Sequence, residues 1–191
     1  YATTGTRLRV RVFAGYDLEQ SDLPRSDFAA HGYRHGVPMG GELLGDEGHA
    51  PRFLVRALRD PDGANLDRIQ VVKGWLNADG TTSERVYDVA CGGRELGEGG
   101  CVGDVGNTVN GDEATYTNDI GQPILGAYWE DPDFDPAQPA FYYVRVLEIP
   151  TPRWTTYDRK FFGVALPEGA PVSIQERAYT SPIWYAPKKR Q

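Results

Sequence analysis

The sequence predicts an all-β fold, an antiparallel two-layer β-sandwich with long irregular loops. Three observations lead there. Short segments of alternating or β-branched side chains recur along the chain, turn residues separate them (23 glycines and 14 prolines), and no window holds a helical period over three turns.

Residues 7–13, RLRVRVF, alternate charged and apolar side chains, which puts Leu8, Val10 and Val12 in the core and the arginines in water. Residues 14–51 carry many glycines and prolines and no sustained period, and are expected to form one long loop, a length that is usually functional or mobile. Residues 52–59 read as the next strand, ended by the turn Asp60-Pro61-Asp62-Gly63. Residues 67–76 and 84–90 read as a hairpin folded across Asn77-Ala78-Asp79-Gly80. Residues 114–117 and 124–130 are short and strand-like, separated by Gly121 and Pro123.

Residues 141–148, FYYVRVLE, are largely apolar or aromatic on both sides of an extended chain, so they predict the central strand of a sheet. Pro150 and Pro152 end it. Arg153 to Asp158 then reads as a loop rich in stacking and hydrogen-bonding side chains, either a binding surface or a cap in which Trp154 and Tyr157 close the core. Residues 161–166 and 174–185 complete the strands, the latter at an edge or bulge because of Pro182.

A length of 191 residues suits one domain. The net charge of −7, with basic residues interspersed among acidic ones, argues against nucleic acid or an anionic membrane as main partner. The one basic run, Lys188-Lys189-Arg190, reads as a solvated tail. No stretch approaches the roughly 20 apolar residues of a membrane span. Cys91 and Cys101 close a glycine-rich loop, CGGRELGEGGC. A disulfide there implies an oxidising compartment; two free thiols or a two-cysteine metal site are the alternatives.

No complete active site is visible. His31 and His35 stand four apart, but Gly32 and Gly36 weaken the helix that would align them on a metal, and no glutamate lies between them; with His49 they read as solvated loop residues. Asp131, Asp133 and Asp135 alternate as in a calcium loop, yet the glycine and terminal glutamate of an EF-hand are missing, and a self-bonded aspartate turn accounts for them equally well. The segment GVPMGGE at 36–42 is a backbone-exposed stretch suited to close approach by a ligand.

Five segments carry a resemblance: YATTGT at 1–6, GVPMGGE at 36–42, DPDGANLDRIQVVKGWL at 60–76, DPDFDPAQPAFYYVRVLEIPTPRWTTYD at 131–158 and ERAYTSPIWY at 176–185. Together they resemble the C-terminal third of a bacterial family of unknown function related to the PHP (polymerase and histidinol phosphatase) type of metal-dependent phosphoesterase. The resemblance implies a larger N-terminal catalytic domain, opened by a His-x-His motif and holding divalent metals. No His-x-His occurs here, so no catalytic residue and no cofactor are expected in this chain.

Two functions follow as expectations. In the first, the chain is the non-catalytic C-terminal β-sandwich of a secreted or periplasmic PHP-like hydrolase, cut from a longer polypeptide. Met39, Gly40, Gly41 and Glu42 then line the approach to the missing domain, Arg145 or Arg153 offers donors to an anion, and Trp154 and Tyr157 face the same side. In the second, it is a stand-alone module that binds carbohydrate or protein through Trp154, Tyr157, Trp184 and Tyr185.

Overall fold

A computed structural model describes residues 1–46 and 48–188. Lys189 and Arg190 of the basic run lie outside the described residues. The strands are β1 (Ala2–Thr3), β2 (Arg9–Gly15), β3 (Val37–Pro38), β4 (Glu42–Leu44), β5 (Arg52–Leu58), β6 (Leu66–Leu76), β7 (Thr82–Cys91), β8 (Leu96–Gly97), β9 (Gly100–Cys101), β10 (Ile124–Glu130), β11 (Ala140–Glu148), β12 (Thr151–Pro152), β13 (Ser173–Ile174), β14 (Arg177–Tyr179) and β15 (Ile183–Ala186). The helices are α1 (Phe28–His35) and α2 (Trp154–Phe162).

The fold is all-β, and β11 is its central strand. Along one edge β11 pairs with β6, which pairs in turn with β7; this is the predicted hairpin. Along the other edge its first half pairs with β15 and its second half with β14. Beyond them lie β4 and β1, and the β15–β4 pair is parallel where the sequence suggested only antiparallel neighbours. A second sheet runs β10-β5-β2-β3, all antiparallel.

The two sheets meet through their apolar faces. Val10, Val12, Phe53, Val55, Leu125 and Ala127 come from the smaller sheet, with Leu8 just before β2, and Ile69, Val71, Tyr142, Val144, Val146 and Ile183 from the larger. All are buried, which is where most of the folding free energy of such a sandwich arises.

The expected loop at 14–51 is not structureless. It contains a 3-10 turn (Gln20–Asp22), α1, β3 and β4. Helix α1 covers the outer face of the smaller sheet, where Phe13, Leu18, Phe28 and Leu54 form a second, smaller core. Gly32 was read as weakening this helix, yet contact decides the position: a Cβ there would fall 2.3 Å from the Phe13 ring. Gly32→Ala is therefore expected to lose about 1–2 kcal/mol, overpacking outweighing the gain in helix propensity, measured by urea unfolding.

Three further corrections concern the second half of the chain. Arg153 to Asp158 is not a loop, because Trp154 to Phe162 form α2, closed by Gly163 in the left-handed region (φ 66°). Residues 161–166 accordingly are not a strand: Phe161 and Phe162 end the helix and the rest is irregular. Residues 114–117 contribute only an isolated bridge between Asn110 and Thr115. No helix among the described residues is long and apolar enough to cross a membrane.

Candidate functional site

The outer face of the larger sheet carries a row of aromatic side chains. Phe141 and Tyr143 project from β11, and register places Trp184 of β15 beside Phe141. Their ring centroids lie 5.4 Å apart for Phe141–Trp184, 6.5 Å for the stacked pair Phe141–Tyr143, and 6.4 Å for Tyr143–Tyr179. Gly74 of β6 lies directly opposite Phe141, and a Cβ there would fall 2.3 Å from that ring, so the bare backbone lets the ring lie down against the sheet. At this end of β11 a cleft of about 550 Å³ opens between Phe141, Trp184, Trp75, Pro139, Ser83 and Glu84. Trp184 is half exposed in it.

The segment 39–42 runs beside the β15 backbone that carries Trp184, outside the cleft's lining. Gly40 N–H donates to the Pro182 carbonyl (2.9 Å), Trp184 N–H donates to the Gly41 carbonyl (3.0 Å), and Glu42 stands opposite Trp184 in the parallel pair. Met39 instead turns inward and packs on the main core. Arg145 shares the outer face, four residues along β11 from Phe141. Its Nε donates to Gln70 Oε1 (2.7 Å), Gln70 Nε2 donates to Asp88 Oδ1 (2.7 Å), and the Cys101 amide donates to Asp88 Oδ2 (3.1 Å). Burial pushes the Asp88 carboxyl up, but the Cys101 amide, Gln70 and Arg68 outweigh it and hold the group below its ordinary value. Arg145 is thus part of a relay that ends at the cysteine loop.

Cys91 and Cys101 form a disulfide, closing the β8–β9 hairpin against the sheet. A bridge spanning a loop of this size stabilises by roughly 2–3 kcal/mol and fits an oxidising compartment.

Arg153, Trp154 and Tyr157 lie elsewhere. They belong to α2, beyond the opposite end of β11, and seven residues of strand separate Phe141 from Glu148, about 23 Å at the usual rise. The four aromatics expected to act together are therefore divided. Tyr185 leaves the surface altogether, buried with its hydroxyl donating to the Pro136 carbonyl (2.9 Å). Trp154 and Tyr157 do not cap the core either. Helix α2 turns Thr155 and Thr156 inward, Thr156 Oγ1 donating to the Val172 carbonyl (2.7 Å), while Trp154, Phe161 and Phe162 are 65, 72 and 76% exposed. The guanidinium of Arg153 sits 5.9 Å from the Trp154 ring.

Two groups singled out in the sequence, the aspartates at 131–135 and the histidines, find partners within this chain. Asp131 pairs with Lys73 (2.6 Å) and accepts from Tyr142 (2.7 Å), while Asp133 accepts from Arg85 (2.6 Å) and Tyr87 (2.7 Å). Asp131 and Asp133 are thus occupied by this chain's own cations and hydroxyls, while the Asp133 amide donates to Asp131 (3.0 Å) and the Ala137 amide to Asp135 (2.9 Å), as in a self-bonded aspartate turn. Burial and the charge of Asp131 push the Tyr142 hydroxyl well above its ordinary value. His31 is not a solvated loop residue: its Nε2 lies 3.0 Å from Asp22 Oδ1 and its ring 4.5 Å from that of His35, both on α1, whereas His49 stands apart near Asp46. Among the described residues no group of three or more His, Cys, Asp or Glu is placed to hold a metal ion.

Sequence reasoning missed Glu148, the last residue of the central strand. Its carboxylate is buried and accepts from Thr6 Oγ1 (2.6 Å), and burial, reinforced by Glu176 and Asp60, pushes it up to about 7.

A family model described as Protein of unknown function (DUF3604) matches residues 1–187. No curated protein and no solved structure matches the chain.

Proposed function

The chain therefore belongs to that family of unknown function, and from this premise we propose that it is the non-catalytic C-terminal β-sandwich of a periplasmic or secreted PHP-like metal-dependent hydrolase. Its work is to hold and shape the catalytic domain of the same polypeptide, in which a metal-activated water would attack a phosphate or related ester. The PHP relationship rests on the resemblance of the sequence segments. The compartment is supported by the disulfide.

One observation carries the proposal. Helix α2 is turned inside out relative to an ordinary surface helix, with threonines inward and Trp154, Tyr157, Phe161 and Phe162 outward. Arg159 and Lys160 fix that orientation through Asp112 (3.1 Å) and Glu113 (2.6 Å). An aromatic stripe held rigidly in water is the mark of a surface that another protein surface covers.

The test uses the longer polypeptide beside the 191-residue chain. Trp154→Ser with Phe161→Ser should leave the melting temperature of the short chain within about 2 °C. In the long protein it should expose α2 to amide hydrogen exchange and lower metal-dependent hydrolysis of a phosphodiester reporter at least about tenfold. Equal exchange of α2 in both proteins would overturn the docking, and absence of metal-dependent hydrolysis in the intact parent would overturn the catalytic assignment.

The cleft beside Phe141 and Trp184 favours a second reading, a carbohydrate-binding module in which a sugar ring stacks on Trp184 near Glu84 and Ser83. Titration with soluble oligosaccharides, followed by tryptophan fluorescence, decides it, since Trp184→Ala must abolish any saturable change.

A further inference from the structure

On the outer face of the smaller sheet, away from both surfaces above, three arginines converge without a carboxylate. Arg9 and Arg11 project from β2, and Arg56 from β5 stands directly opposite Arg11 in the antiparallel register. Like charges directly opposite across two strands destabilise a sheet. Arg7, Arg25, Arg34, Arg52, Arg68, Arg85, Arg94 and Arg159 each lie within ion-pair distance of an aspartate or glutamate, whereas Arg59, Arg145 and Arg177 donate to uncharged oxygens and Arg153 lies near the Trp154 ring. Arg9, Arg11 and Arg56 form no ion pair among the described residues. The nearest acids in sequence on the covering segment are already engaged, Asp22 by His31 and Asp27 by Arg25 (2.9 Å) and Arg34 (3.2 Å).

Arg9, Arg11 and Arg56 line a cleft of about 280 Å³ together with Ser26, Phe28, Ala29 and Leu58, and no acidic residue is in the lining. Arg56 is set in place beforehand. Its guanidinium lies 4.2 Å from the Phe28 ring centroid and donates to the carbonyls of Leu23 and Arg25. That leaves the rest of its planar fork for a ligand, while Arg9 and Arg11 are exposed and free to close on it.

We propose that this cleft is an oxyanion site that takes a phosphate group, free or carried on a small ester, between Arg9, Arg11 and Arg56. Three forks around a compact cleft match the oxygens of a tetrahedral dianion, whereas a single carboxylate engages one fork. The site is independent of the hydrolase assignment, because it needs neither the proposed catalytic domain nor a metal.

The test is titration of the 191-residue chain with inorganic phosphate, and separately with methyl phosphate, against chloride at matched ionic strength. Amide chemical shifts of Arg11, Ser26 and Ala29 provide the readout. Saturable shifts at those amides are expected, with dissociation constants of about 1 mM. Arg11→Gln should weaken binding more than about tenfold, the loss expected for a charge-assisted contact. Arg34→Gln, which removes the same charge from the outer side of α1, should leave it within about twofold. Arg11→Gln should also melt no lower than the parent in phosphate-free buffer, since it relieves the facing charges. Binding of inorganic phosphate and of the ester alike identifies a site for the phosphate group itself, and saturation by the ester alone places its natural ligand among phosphate esters. Shifts no larger than those in chloride, or equal loss in the Arg11 and Arg34 variants, would overturn the site.

Discussion

Lys73→Met is expected to destabilise the protein by about 3–5 kcal/mol, the cost of stranding a buried carboxylate. Lys73 and Asp131 are 2 and 3% exposed and 2.6 Å apart, and the lysine also donates to the Asp133 carbonyl (2.7 Å). Its ammonium further lies within 6.0 Å of the Trp75 and Tyr142 ring centroids. Removing the cation leaves Asp131 with Tyr142 and the Asp133 amide as donors inside an apolar core. Pairing the change with Asp131→Leu removes the stranded charge, so the double variant should be more stable than Lys73→Met alone. What it keeps losing is the Tyr142 hydroxyl's partner, roughly 1–3 kcal/mol. Urea unfolding of the parent, both single variants and the double measures this coupling. A Lys73→Met loss below about 1 kcal/mol would show that the pair does not hold the 131–135 turn against β6 and β7.

That pair also shows where sequence reasoning succeeds and where it stops. Strands β2, β5, β6, β7, β10 and β11 were legible because alternation and β-branched runs report directly on burial, and the turns at 60–63 and 77–80 have residues dictated by backbone geometry. The disulfide was legible as one of three readings of a short glycine-rich loop. Lys73 was not: a lysine within VVKGW is chemically ordinary, and its meaning comes from Asp131, which lies far along the chain in a turn that imitates a calcium loop.

Both helices escaped for a related reason. Six of the nine residues of helix α2 are Trp, Thr, Tyr or Phe, which favour strands, and its apolar stripe faces water, so the period carried no amphipathic signal toward the core. Arg159 and Lys160 followed by Gly163 are a helix stop that outweighed composition in the event. Helix α1 hid behind Gly32, which has poor propensity but is required by Phe13; Ser26 and Asp27 before Phe28, and Gly36 after His35, were the available signals. As to the candidate surfaces, the aromatic cleft depends on Phe141 and Trp184 meeting across strand register, and the arginine cleft on Arg11 and Arg56 doing the same. No single segment contains either.

Stability should fall as pH rises from about 4.5 to 7 through the Glu148 carboxyl, by on the order of 3 kcal/mol at about 1.4 kcal/mol per pH unit. The folded protein holds the carboxyl near 7, because burial disfavours its charge and Glu176 and Asp60 repel it, while Arg59 and the Thr6 hydroxyl only partly compensate. The unfolded chain releases that proton near 4.5, so between the two values the native state binds more protons and loses stability with rising pH. Below about 4.5 the contribution is fully present, and above 7 it is gone. Glu148→Gln keeps the shape and cannot ionise, so it should flatten this limb of the stability–pH profile and raise stability at pH 8 by a similar amount. The effect should be felt first in residues 4–6. Thr6 bonds Glu148, Thr4 bonds Glu176, and Arg7 pairs with Asp60, whose carboxyl it holds down at about 2. Hydrogen exchange at the amides of residues 4–6 should therefore quicken between pH 6 and 8, beyond the intrinsic base catalysis, in the parent and not in Glu148→Gln. Identical corrected exchange in the two proteins would mean that Glu148 is ionised throughout and the N-terminal segment is held by the remaining contacts alone.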